Sequence, residues 1–336
     1  MPRLTAMDEY FVHQIPEPLL SPETHHDFWR ESVFFILHPR DSLGDAVILT
    51  TAHFPKAEVM DALQLGKIAD DWIYAKHQRP YAGDPHTMSV GPTHVDIVEP
   101  FQRVELRVHE HPDAPYSMDM TFTARGQAYG LRRGTMKDGH ERIWDQSHLF
   151  QSGTFNGTYT RNGVTHEVVD WWGQRDHSWG IRDHRRCPLW MWFAIQCEEG
   201  MYGVWHWEYP NGARAYTDGC FAPADGSDPI PLIDFRHHDL HWIDEGGAPI
   251  SYGAWGAGVH GLAGHVDITL EGGQTIGFDA AGRWAFPYGP MGGGLNQMTW
   301  TNSIGQSGTA IYEVTGGSHH KFFPERRIEA TFPQSH

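Results

Sequence analysis

From Trp171 to Arg186 the chain reads WWGQRDHSWGIRDHRR. Carboxylates, an imidazole and indole rings stand almost side by side. Such groups can move a proton beside an aromatic face that stabilises developing positive charge. On a strand, side chains alternate between faces. Arg175, His177 and Trp179 then point one way, and Asp176 and Ser178 the other. Taken from the residues alone, the stretch suits a buried polar cluster that ties two domains together. Arg175, Arg182, Asp176 and Asp183 would be its paired ions. A second concentration follows in MYGVWHWEYPNGARAYTDG. There Tyr202, Val204, His206 and Glu208 share one face, and Trp205, Trp207 and Tyr209 the other. Asp218 precedes Gly219 and reads most simply as part of a turn.

Other chemistries find less support. In FRHHDLHW, His237 and His241 have the i,i+4 spacing of a zinc-binding helix. No Glu stands beside the first His, however. The run also reads as a strand, with His237, Asp239 and His241 on one solvated face. We therefore expect no metal, no cofactor, and full folding without zinc or iron. No phosphate-binding Gly-Lys-Ser/Thr loop occurs. Gly292 to Gly294 lack a strand-then-helix context, and no Gly-x-Ser-x-Gly elbow anchors a hydrolase triad.

The elements that must position these residues are strands. ESVFFILHP, DAVILTTAH, THVDIVEP, RVELRVHE and SMDMTFTA are short runs rich in β-branched and aromatic residues. Gly, Pro, Asn and Asp punctuate them. Asn156-Gly157 and Asn162-Gly163 read as tight hairpin turns. Glu198-Glu199-Gly200 reads as the turn between LWMWFAIQC and MYGVWHWEY. Only SPETHHDFWRE and AEVMDALQLGKIADDW carry helix-like signals. Regularly spaced short strands favour sandwiches or closed barrels. Charge is dense near Arg182 to Pro188, and Cys187-Pro188 interrupts pairing. This predicts a seam there, with domains at 1–185 and 186–336.

Composition narrows the partners. The chain has 336 residues, 40% hydrophobic, enough for one large or two medium domains. A net charge of -17 argues against a nucleic-acid groove and against anionic membrane surfaces. No apolar run is long enough to span a bilayer, so stable membrane insertion is not expected. MPRLTAMDEYFVHQ lacks a continuous apolar stretch, so no signal peptide is expected. Three cysteines, Cys187, Cys197 and Cys220, cannot make a disulfide framework and fit a reducing cytoplasm.

GQRDHSWGIRD (Gly173 to Asp183) resembles the His-x-Trp-Gly signature of the carotenoid 1,2-hydratase and AttH-like superfamily. The tryptophan-rich strand pair after it and SGTAIYEV (Ser307 to Val314), a Gly-rich closing strand with a Glu, are similar to the same group. That superfamily includes hydroxyneurosporene synthases, kievitone hydratase and fungal decalin-forming Diels–Alderases. The resemblance implies a mainly β chain of two tandem lipocalin-like (calycin) β-barrel domains. It also implies that His177 and Trp179 face a cavity. In hydratases of the group an Asp on a later strand acts as proton donor. Here no clean equivalent stands; His206 or Glu208 falls near that place and Asp218 further on. The catalytic candidates are therefore His177, Asp176, His206, Glu208 and Asp218. The candidates for an aromatic wall are Trp179, Trp171, Trp192, Tyr202 and Tyr216.

The function expected is cofactor-independent lyase or isomerase chemistry: acid-assisted hydration or dehydration, isomerisation or cyclisation. The substrate would be one bulky apolar molecule of terpenoid, polyketide or steroid-like kind. A non-catalytic carrier of a lipid or isoprenoid is the competing reading, and a carbohydrate-binding β-module a weaker third. An ionisable group buried beside the aromatic wall separates catalyst from carrier. A homodimer stays open.

Overall fold

From Ser117 to Ala124, Met118, Met120 and Phe122 are buried while Asp119 and Thr123 face water. This period-two burial is what a half-covered sheet demands, and most of the chain obeys it. The computed structural model describes residues 4–16, 26–81, 86–289 and 291–325. Among these no α-helix occurs, and no helix is long and apolar enough to cross a membrane.

The strands are β1 (Trp29–His38), β2 (Ala46–Phe54), β3 (Val59–Ile68), β4 (Asp71–Pro80), β5 (Thr93–Glu99), β6 (Arg103–Val108), β7 (Ser117–Ala124), β8 (Tyr129–Gly130), β9 (Gly134–Asp138), β10 (Glu141–Arg161) and β11 (Val164–Arg182) in one sheet. The other holds β12 (Leu189–Cys197), β13 (Gly200–Glu208), β14 (Arg214–Pro223), β15 (Ile230–Arg236), β16 (His241–Ile243), β17 (Gly261–Leu270), β18 (Thr275–Pro287), β19 (Gly292–Asn302) and β20 (Ser307–Gly316). Both curl into barrels with one connectivity. Each opens on a meander, β1 to β4 or β12 to β15, whose first strand pairs with the last strand of its sheet, β11 or β20. In the second sheet β15 pairs with β17 as well as β14, which closes the ring and leaves the short β16 at an edge. In the first, Arg79 of β4 donates side-chain hydrogen bonds to the carbonyls of Ser89 (2.6 Å) and Thr87 (3.2 Å), in the segment that leads to β5.

Three apolar clusters follow from this. Val33, Phe35, Leu37 and Phe122 help fill the first barrel, and Met191, Phe193, Tyr202 and Tyr312 the second. The third lies between the barrels and gathers Ile36, Ile48, Trp144 and Phe150 with Trp190, Trp192, Trp205 and Trp207. Strands β12 and β13 are buried on both faces as a result. At the contact, glycines make room for rings of the other barrel. A Cβ on Gly203 would lie 2.3 Å from the Phe150 ring, and one on Gly134 2.4 Å from Trp207. Polar ties reinforce it: Arg125 Nη2 donates to the Cys197 carbonyl (2.7 Å) and Ser152 Oγ to Gln196 Oε1 (2.7 Å).

Two local expectations differ from the structure. Residues 59–68, in a segment with a helix-like signal, form β3, which is apolar on both faces. Met60 and Ala62 enter the first barrel and Leu65 the cluster between the barrels, so apolar spacing alone misleads. The other segment, from 21 to 31, ends in β1, and its residues 21–25 lie outside the described ones. Of the two Asn-Gly pairs, Asn162-Gly163 does turn the chain, with φ of 51° and 76°. Asn156-Gly157 instead lies inside β10 at a bulge, where Gly157 takes φ of 148° and approaches the Asp119 carbonyl.

Candidate active site

A cavity of about 400 Å³ opens between the barrels. Alternation explains its lining. On β1, Glu31, Val33 and Phe35 point into the first barrel, so Arg30, Ser32 and Phe34 point out of it. On β11, Asp176, Ser178 and Arg182 take the same outer face. The second barrel answers with Trp190 and Trp192 of β12, Trp205 of β13 and Glu313 of β20, whose neighbours Tyr312 and Val314 are core. Trp144, His148, His184, Phe286 and Tyr288 also line it.

Among the described residues, Glu313 is one of two carboxylic acids in this cavity, with Asp176. Its Oε1 accepts from Trp190 Nε1 at 2.7 Å and from Thr315 Oγ1 at 3.2 Å. Burial pushes the carboxyl up to about 7, and the Asp176 charge adds to the rise. The hydrogen bonds and the Arg30 charge oppose it without winning. Tyr288 is held well above the ordinary phenol range, first by burial and then by Glu313 and Asp176, so it stays a proton-bearing donor. His184 is driven well below its usual value by burial and by Arg30 and Arg182, and is neutral. Arg182 donates to Ser178 Oγ (3.0 Å) and to the Arg30 carbonyl (3.3 Å). Several donors remain spare: Arg30 Nε, Trp192 Nε1 and Trp205 Nε1 are buried without a hydrogen-bond partner. The His148 ring also makes no hydrogen bond, although its Nε2 lies 3.4 Å from Asp176 Oδ2. A bound molecule with an apolar body and one or two oxygens would satisfy such a wall.

The residues picked out in the sequence divide among four places. Asp176 and Trp192 line the cavity. His177 and Trp179 turn away from it into the first barrel, where residues 8–15 fill the space. Trp179 stacks on His13 with ring centres 3.7 Å apart and donates to the Ile15 carbonyl (3.1 Å). His177 contacts the Asp8 carbonyl through Nδ1 (2.5 Å) and Glu31 through Nε2 (3.0 Å). Trp171 packs at the edge of the same core. His206, Glu208 and Tyr202 lie inside the second barrel; Glu208 meets His206 (3.1 Å), His237 (2.6 Å) and His320 (2.9 Å). Asp218 and Tyr216 belong to the contact between barrels. Asp218 accepts from the Arg132 backbone (2.7 Å) and from Tyr129 (3.2 Å), and Tyr216 stacks on Trp207. His237, placed by pattern on a solvated strand face, follows the end of β15 and is buried.

Sequence reasoning did not select Glu313, Arg30 or Tyr288. The signal for Glu313 was present: a lone carboxylate in AIYEV, on the face opposite Tyr312 and Val314.

The two-barrel fold is shared with solved structures of the AttH-like kind. An AttH candidate from Nitrosomonas europaea aligns with a TM-score of 0.59 at 12% identity, over 87% of this chain and 94% of that one. Kievitone hydratase from Nectria haematococca gives 0.51 at 13% identity, over 85% and 88%. CghA, crystallised with Sch210972, gives 0.57 at 9% identity, over 86% and 88%. These likenesses show the fold. By sequence, the chain belongs to the family of unknown function DUF8625, whose profile matches residues 4–241. No curated protein matches the sequence.

Proposed function

We propose that this protein is an enzyme that binds a bulky apolar small molecule between its barrels and protonates it from Glu313. The observation that carries the reading is a carboxyl poised at about 7 against an indole wall. A carboxyl raised to about 7 can still carry its proton near neutral pH, which suits a general acid. It donates to an alkene, hydroxyl or carbonyl of the substrate. The rings of Trp190, Trp192 and Trp205 stabilise the cation that develops. Arg30 and the spare indole N–H groups orient substrate oxygens, and the apolar walls limit stray water. Water addition or loss, isomerisation and cyclisation all fit this arrangement. The name of kievitone hydratase and the small molecule on CghA support the substrate class by analogy of fold alone.

The competing reading is a carrier, which needs the apolar wall and no acid. A panel of terpenoid, polyketide and steroid-like compounds tests both. Binding is followed by tryptophan fluorescence and conversion by mass spectrometry. The account expects a compound that wild type converts and that Glu313→Gln binds but leaves unchanged. Tight binding with no conversion of any bound compound by wild type would favour the carrier.

A further inference from the structure

Each barrel buries histidines around a glutamate, and the two clusters are not alike. In the first, His13 meets Glu31 through Nδ1 and Asp8 through Nε2, and His177 meets Glu31 and the Asp8 carbonyl. Every ring nitrogen there faces an acceptor, and two carboxylates serve two imidazoles. In the second barrel one carboxylate meets three imidazoles.

Tracing the protons of the second cluster leaves a gap. The Phe322 backbone N–H donates to His320 Nδ1 (3.3 Å), so His320 Nε2–H donates to Glu208 Oε2 (2.9 Å). This orients the carboxylate and leaves Oε1. That oxygen is faced by His237 Nε2 at 2.6 Å and by His206 Nε2 at 3.1 Å. Thr217 donates its hydroxyl to the Tyr216 carbonyl (2.9 Å), and His206 Nδ1–H donates to Thr217 Oγ1 (2.6 Å). In the tautomer with the proton on Nδ1, His206 Nε2 turns a lone pair toward a carboxylate oxygen. A cation between them resolves the clash.

We propose that His206 Nε2, His237 Nε2 and Glu208 Oε1 bind one divalent transition-metal ion of the zinc class. The three atoms lie within 4.8 Å of one another and all three residues are buried. Tetrahedral zinc with bonds of about 2.0–2.1 Å sets its ligands ~3.3 Å apart. His206 Nε2 stands 3.1 Å from Glu208 Oε1, and His237 Nε2, now 2.6 Å away, would shift outward to take its place on the ion. Two imidazoles and one carboxylate suit zinc, iron or cobalt and not calcium or magnesium, which take oxygen ligands. Thr217 and His320 act as the outer partners that fix ligand orientation. A fourth position is left for water. The site faces the inside of the second barrel, beside Phe235 and Phe322, whereas the interbarrel cavity lies on the other face of β13. It is thus independent of the function proposed above, and it departs from the metal-free reading of the sequence.

The test uses the full chain, stripped with a chelator that is then removed. Zinc is titrated by calorimetry, and cobalt(II) by its visible absorption. One equivalent per chain is expected, with cobalt bands of a low-coordinate nitrogen and oxygen site. Glu208→Gln and His237→Gln should each weaken binding by at least about 100-fold. His13→Gln, in the first barrel, should leave it unchanged. Failure of wild type to take up one equivalent would overturn the proposal, even if a variant failed to fold. So would uptake that survives both second-barrel substitutions, or uptake lost in His13→Gln.

Discussion

Glu313 stands between Tyr312 and Val314 on β20, and its environment is set by Trp190 more than by any other side chain. Two outcomes belong at this scale. Glu313→Gln keeps the shape and an acceptor for the indole but has no proton to give. It should lower the rate by about 10²–10⁴-fold while binding persists. Because protonated Glu313 is the active form, wild-type activity should fall as pH rises through about 7. Trp190→Phe removes a hydrogen bond that favours the charged carboxylate. The alkaline limb of the pH–rate profile should then move to higher pH. Linkage adds a check. The folded-state value lies above the ordinary 4.5, so the folded chain holds the extra proton between about 4.5 and 7. That contribution to stability is lost as pH rises through this window. Melting curves at pH 4 and pH 8 should show Glu313→Gln gaining on wild type at the higher pH. The lone Glu of AIYEV was visible in the sequence, but on an apolar strand it looks like any solvated side chain until the first barrel covers it.

At the scale of elements, the N-terminal segment decides what β11 can do. The alternation along β11 was legible: Arg175, His177 and Trp179 share one face and Asp176 and Ser178 the other. Which face meets the cavity was not, because residues 8–15 return from far along the chain to fill the first barrel. Glu9 pairs with Arg175 there, and Gln151 accepts from the same guanidinium (2.8 and 3.0 Å). Burial alone would lower the His13 value, but Glu31 and Asp8 together raise it to about 9. The stabilisation this gives is complete below about 6.5 and is lost as pH rises through about 9. Thermal melts should therefore show wild type losing stability between those values, and His13→Gln should flatten that slope. Glu9→Gln leaves Arg175 buried without its carboxylate and should cost about 3–5 kcal/mol, measured by denaturant unfolding.

For the whole molecule, strand spacing and turn chemistry made the β class readable, and the His-x-Trp-Gly stretch with its tryptophan-rich neighbours made the two-barrel fold readable. The cavity was not readable, because it exists only where the outer faces of β1, β11, β12 and β20 meet. Its walls are residues that a single-barrel pattern assigns to a surface. The docking itself rests on close fits such as Phe150 against Gly203. Gly203→Val should push that ring aside and loosen the contact between barrels. Calorimetry should then resolve a single unfolding transition into two, with loss of ligand binding.

The central claim is that the cavity holds a carboxyl that can still carry its proton near neutrality. Infrared difference spectra of wild type against Glu313→Gln, recorded across pH, read that proton directly. The account predicts a protonated-carboxyl band, unique to wild type, that disappears with a midpoint near 7. A midpoint in the ordinary carboxylate range, near 4.5 or below, would contradict it.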